Sequence, residues 1–85
     1  MGAEFYVSRC YDVSGVGLVI AGWVESGELR DGHIGRTSKG VKFALVKIEK
    51  DGRQASTTKN KEKANLFVKH VTRNEIKPGE TIYFE

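Results

Sequence analysis

The stretch YDVSGVGLVIAGWVESGELRDG, Tyr11 to Gly32, spreads five glycines (Gly15, Gly17, Gly22, Gly27 and Gly32) across one apolar run. Between Gly17 and Gly27 lie Leu18, Val19, Ile20, Ala21, Trp23 and Val24, a β-branched and aromatic series too short for a packed helix and bracketed by turn signals. It reads as a strand, Leu18 to Glu25, with Leu18, Ile20, Gly22 and Val24 on one face and Val19, Ala21 and Trp23 on the other. Ser14-Gly15-Val16-Gly17 before it supplies the positive φ of a tight connection, and Gly27 and Gly32 serve the next two corners. Gly22 sits mid-strand, where glycine weakens packing unless the strand bends or another backbone comes close. Glycine at this density points to a strongly coiled, closing sheet.

Working outward, Phe5, Val7, Tyr11 and Val13 make a first strand whose alternation breaks at Arg9 and Cys10; a β-bulge near Arg9 restores the phase. Glu28 to Gly32 is a polar corner with one apolar plug, Leu29, followed by a short, weak strand from His33 to Ser38. Val41 to Lys50 alternates clearly, with Ile48 out of phase at an edge or bulge, and Asp51-Gly52 ends it as a hairpin. Arg53 to Lys63 is polar and without a hydrophobic anchor, which predicts a short strand around Gln54 to Thr57 and then an exposed loop. Ala64 to Val71 and Thr81 to Phe84 complete the set, joined by a turn that Ile76 plugs as Leu29 does the earlier one, with Gly79 matching Gly32. The two corners echo one another, as pseudo-symmetric barrel corners do rather than a true repeat. Met1-Gly2-Ala3 has the look of an added remnant.

The chain's 85 residues suit a single domain, 1–85, that folds without a staple. One cysteine, Cys10, leaves no internal disulfide and fits a reducing, cytoplasmic setting. No apolar run reaches the ~20 residues of a membrane span, so no membrane partner is expected. The net charge is +3, but residues 1–38 carry three basic and five acidic side chains and residues 39–85 carry eleven and six. The basic excess of the second half points to an acidic partner, with nucleic acid the leading candidate.

The glycines of residues 15–22 are followed by β-branched and aromatic residues, whereas a phosphate loop must open a helix. No G-x-x-x-x-G-K-[ST] occurs, so no bound nucleotide is expected, and no other cofactor. Cys10, His33 and His70 are too few and too scattered for a zinc site, and nothing positions a third group behind a Cys–His pair; no metal and no catalytic residue are assigned. Two features stand out. One is the basic series Lys59, Lys61, Lys63, Lys69 and Arg73, flanked by Lys47, Lys50, Arg53 and Lys77, which could gather phosphate contacts or simply keep a loop solvated. The other is Trp23, in the outward register of its strand, either a docking or stacking residue or a cover for a barrel end.

Val7, Tyr11, Gly15, Gly17, Gly22, Val24, Gly27, Leu29 and Gly32, then Leu45 and Ile48, then the closing I-x-x-G-E-x-I of Ile76, Gly79 and Ile82, together resemble the second domain of elongation factor Tu and related translational GTPases. The resemblance implies an all-β fold, a small closed antiparallel Greek-key β-barrel of about six strands. In that family the barrel follows a GTPase domain and helps to bind the acceptor end of transfer RNA or the ribosome. No GTPase domain is present here, so the chain is expected to be a stand-alone relative or an excised piece. His33 stands where the family usually has an acidic residue, and Lys59-Asn60-Lys61-Glu62-Lys63 replaces a glycine-bearing approach; by position, Arg73 is the residue that carries over as an RNA contact. The expected function is a non-catalytic module engaging RNA or the ribosome through its basic half. The alternative is a barrel that docks a protein partner through Trp23 and nearby apolar residues.

Overall fold

A computed structural model describes residues 2–59 and 61–85. Among these residues nine strands form: β1 (Ala3–Val13), β2 (Gly17–Ser26), β3 (Glu28–Arg30), β4 (Ile34–Arg36), β5 (Lys42–Lys50), β6 (Arg53–Ala55), β7 (Thr57–Lys59), β8 (Lys63–Lys69) and β9 (Thr81–Phe84). The large sheet runs β4-β9-β1-β2-β8-β5-β6, and β4 also pairs with β5, which closes six of its strands into an antiparallel barrel. Connections β1 to β2 and β4 to β5 join neighbours, whereas β2 to β4 and β8 to β9 cross the barrel ends. Leu29 and Ile76 sit in those two crossing connections at 0% and 1% exposure. Each crossing buries one apolar side chain into an open barrel end, the role expected of both.

The echo between the corners extends to the whole ring. Exchanging β1, β2 and β4 for β5, β8 and β9 maps the ring order onto itself. The Gly79 N–H donates to the Val7 carbonyl at 2.7 Å and the Gly32 N–H to the Leu45 carbonyl at 3.0 Å, matching bonds from matching corners. The register against β2 shifts between Val7 and Arg9, and the register of β5 against β8 shifts between Leu45 and Lys47. These bulges at Ser8 and Val46 occupy equivalent places. Each adds a residue on one strand only, which sharpens the local bend and lets a six-stranded sheet close. The bulge also explains the phase of β5: Phe43, Leu45 and Ile48 are buried and Val46 is turned out.

Gly22 lies opposite the Ser8 bulge, in register with Val7. A Cβ there would fall on the Tyr6 carbonyl oxygen, so the close backbone approach expected of a mid-strand glycine is present. Gly15, Gly17, Gly27, Gly32 and Gly79 all have positive φ, as their turn positions require. Asp51 (φ 54°) and Gly52 (φ 76°) form a two-residue loop between Lys50 and Arg53, the primed turn that an Asp-Gly pair favours.

Two expectations need correcting. Glu28–Arg30 is a strand rather than a corner, because it pairs with Thr57–Lys59 in a separate two-stranded sheet. Residues 53–59 are not an unanchored loop, since Thr58 lies opposite Leu29 with 0% exposure. Thr58 fits that half-polar pairing because its β-branched body packs while its hydroxyl donates to Glu62 Oε1 at 3.4 Å. Ala3 is part of the barrel, opening β1 opposite Phe84 at 1% exposure.

Candidate functional site

The outer face of β1, β2, β8 and β5 is ordered into cross-strand rows. Tyr6 pairs with Trp23 and Trp23 with Lys63; in the next row Arg9, Ala21, Asn65 and Glu49 lie side by side; in the third come Tyr11, Val19, Phe67 and Lys47. Alternation puts these residues in the outward register because Phe5, Ile20, Leu66 and Ile48 on the same strands fill the core, with Val19 in the third row covered to 2% exposure. In the first row the rings of Tyr6 and Trp23 stack, with centroids 4.6 Å apart and planes 26° from parallel. The pair is half-buried, so it offers an aromatic platform held in place by its own stacking.

Trp23 shares a shallow depression with Glu25, Lys61 and Lys63. Lys61 reaches it because the chain turns back onto β2: the Lys61 N–H donates to the Val24 carbonyl at 2.6 Å, and the Val24 N–H donates to the Glu62 carbonyl at 3.3 Å. Glu62 holds this turn from within, its Oε1 accepting from the Lys59 N–H at 2.7 Å and the Lys50 Nζ at 3.1 Å. Those bonds hold the Glu62 carboxyl below the usual carboxylate range, the Lys59 N–H first and the Lys50 ammonium next. A groove of about 400 Å³ also borders Trp23, lined by Ser8, Arg9, Ala21, Gly22, Gly52, Lys63, Ala64 and Asn65 together with the acidic Glu49 and Asp51. Small and polar residues beside a half-buried ring make a recess for a flat, polar ligand.

The basic series does not gather on one surface. Lys61 and Lys63 join Trp23, and Lys59 sits in β7 opposite Glu28. Lys69 closes the other end of β8, about 20 Å from Lys63 at the rise of a strand. There it borders a depression with Val16, Val46 and Phe67. Arg73 lies in the β8–β9 connection near Cys10; burial pushes the Cys10 thiol up, with Arg73 drawing it the other way. Lys47 and Lys50 are engaged by Glu49 at 3.4 Å and Glu62 at 3.1 Å, and the Lys47 Nζ also lies 4.3 Å from the centre of the Phe67 ring. Tyr6, Arg9 and Asn65, none of which the sequence marked as a site residue, enter through register alone. The only signal for Tyr6 was its place between the inward Phe5 and Val7.

No protein-family model matches the chain, and no curated protein matches it. Solved structures do. The apo form of translation elongation factor SelB from Methanococcus maripaludis superposes with a TM-score of 0.90 at 13% identity, over 98% of this chain and 18% of that one. A bacterial selenocysteine-specific elongation factor, EF-Sec, superposes with a TM-score of 0.85 at 23% identity, over 94% of this chain and 14% of that one. The fold is therefore that of a translation-factor β-barrel, as the resemblance implied, and the chain spans less than a fifth of the length of either structure.

Proposed function

We propose that this barrel is a non-catalytic, cytoplasmic binding module of the translation apparatus that engages RNA, of transfer-RNA or ribosomal kind, through the face centred on Trp23. The observation that carries the reading is the row Tyr6–Trp23–Lys63 with Lys61 at its edge. Stacked aromatic rings bind unpaired bases by their π-faces, and lysines beside them neutralise the adjoining phosphates. Chemistry and charge thus meet at one place, where the sequence offered Trp23 and the lysines as rival features. Likeness to barrels of elongation factors lends the translation setting, and binding rather than reaction is what such a platform does.

Intrinsic fluorescence gives a direct test, because Trp23 is the single tryptophan. Short unstructured oligoribonucleotides at low salt should quench it, with log affinity falling against log salt by about 0.7 for each phosphate neutralised. Trp23→Ala should weaken binding by about 1 to 3 kcal/mol, the worth of a stacked base. Lys61→Glu with Lys63→Glu should flatten the salt dependence while leaving the melting temperature near wild type, since both side chains are exposed. An unquenched Trp23 at low salt with transfer and ribosomal RNA would refute the reading.

A second reading has its own observation. Tyr11, Val16 and Val46 are 39%, 52% and 47% exposed, and the two valines border one depression with Phe67. That apolar cluster suits a protein partner, whose binding would hold as ionic strength rises.

A further inference from the structure

A second cationic surface lies away from the lysines of residues 59–73. The hairpin of β4 and β5, from Ile34 to Lys42, carries Arg36, Lys39 and Lys42 and no acidic residue. All three cations are exposed, and none forms an ion pair among the described residues. Arg36 lies directly opposite Lys42 on one side and Tyr83 on the other, so a single row reads Lys42–Arg36–Tyr83. Like charges directly opposite one another on a sheet are destabilising, and the fold draws no benefit from them.

The hairpin is also braced. Thr37, 4% exposed, accepts through Oγ1 from the Lys39 N–H at 3.2 Å and the Val41 N–H at 3.1 Å. Glu80 Oε2 accepts from the Ser38 N–H at 2.9 Å and the Ser38 hydroxyl at 2.7 Å. Tyr83 is 47% exposed while its ring packs on the backbone of Gly2, where a Cβ would collide with it. The cations therefore stand on a fixed frame beside a fixed ring. Three carboxylates face this region, none of them in an ion pair with the three cations among the described residues. Glu80 accepts from Ser38 and lies near Lys39, Glu4 stands opposite Tyr83 and accepts from the Ser26 hydroxyl, and Glu85 lines one depression with Ile34, Arg36, Lys42 and Tyr83.

We propose that the β4–β5 hairpin is a second phosphate-binding surface, which takes the sugar–phosphate backbone of a folded RNA on the side of the barrel opposite Trp23. The inference rests on the RNA reading given above. Three cations strung along one rigid hairpin suit a ligand whose charge repeats at short intervals, as a phosphodiester backbone does. Its place in the ring defines the kind of RNA. β4 is three strands from β2 in either direction around the closed barrel, whose longest extents are 26 Å. A dinucleotide or trinucleotide cannot touch both faces, whereas a folded RNA that cups the barrel can.

The test compares a trinucleotide with intact transfer RNA on wild type and on the triple variant Arg36→Gln, Lys39→Gln, Lys42→Gln. The variant should melt at or above the wild-type temperature, because a repulsive cross-strand pair has been removed. Its trinucleotide titration, read by Trp23 quenching, should be unchanged. Its affinity for transfer RNA should fall on the order of tenfold at low salt, with the salt slope shallower by about 2.7, close to 0.9 for each of the three phosphates no longer neutralised. An unchanged slope and affinity for transfer RNA, with Trp23 still quenched, would overturn this inference and leave the Trp23 site standing. Absence of RNA binding by wild type would overturn both. Loss of binding to polyglutamate in the variant, with transfer RNA affinity intact, would assign the hairpin to an acidic protein and overturn it as well.

Discussion

Gly22→Ala is the sharpest perturbation of the barrel, because alanine is the better residue in a strand unless space forbids it. Replacing a mid-strand glycine ordinarily gains about 0.5 to 1 kcal/mol from the unfolded chain. Here the new Cβ would land on the Tyr6 carbonyl oxygen, with the Tyr6 carbonyl carbon at 2.9 Å and a Phe5 ring carbon at 3.1 Å. The obstructing atom belongs to the backbone of β1 and cannot rotate away. Relief requires β1 and β2 to part beside the Ser8 bulge, loosening the ladder around the Val7–Gly22 pair. Overpacking costs about 1 to 3 kcal/mol, and a weakened ladder bond about 0.5 to 1.5 more. After the entropic gain is set against these, a net loss of about 0.5 to 4 kcal/mol remains, at about 4 to 8 °C of melting temperature per kcal/mol for a domain of this size. Thermal unfolding followed by far-UV circular dichroism measures it. A variant that melts with or above the wild type would refute the close approach and the barrel closure derived from it.

The two barrel-end plugs should behave as a pair: Leu29→Ala and Ile76→Ala should each cost about 2 to 5 kcal/mol in chemical denaturation, since each side chain is at most 1% exposed. Lys61 holds φ at 69°, a conformation costing a non-glycine residue about 1 kcal/mol or more, so Lys61→Gly should raise stability by several tenths of a kcal/mol and would disprove the turn if it lowered it. Acid should destabilise the protein through Glu80. Its partial burial pushes the carboxyl up, but the bonds from Ser38 and Lys77 outweigh this and hold it below its ordinary 4.5. A depressed folded value contributes stability above the unfolded pKa that is lost as pH falls through the folded one. The melting temperature should therefore be level down to about pH 4.5 and drop below it, and Glu80→Gln should melt lower at neutral pH with a shallower acid limb; an acid limb identical to wild type would count against the Ser38 clamp.

Much of the barrel was legible because its constraints are local. Arg9 broke the alternation of β1 and Ile48 that of β5, and bulges at Ser8 and Val46 are the physical cause of both breaks. Asp51-Gly52 and the paired corner residues Leu29 and Ile76 announced themselves in the same way. What stayed hidden was pairing between distant segments. Glu28–Arg30 and Thr57–Lys59 are too short and too polar to read as strands alone, and each becomes one only against the other. The candidate site is of that kind too: Tyr6, Trp23 and Lys63 come from three strands, and nothing local to any of them fixes a common row.

The pseudo-two-fold frame separates what the fold requires from what it leaves free. Equivalent inward positions hold Phe5 and Phe43, Val7 and Leu45, Ile20 and Leu66, all buried and all large and apolar. The core thus imposes one chemistry on both halves. Outward positions obey no such rule. The ring register that equates Val7 with Leu45 equates Trp23 with Lys69, Tyr6 with Ala44 and Lys63 with Gly17. The same backbone closes with an alanine, a lysine and a glycine in one half, so closure does not demand two stacked rings and a lysine in the other. Nor does it demand an arginine facing a lysine on β4 and β5, where the equivalent pair on β9 and β1 is Tyr83 against Glu4. Where one half of a symmetric frame keeps residues that its twin does without, their cause lies outside the frame. That argument singles out Tyr6, Trp23, Arg36 and Lys42 as positions where substitution should change binding far more than stability.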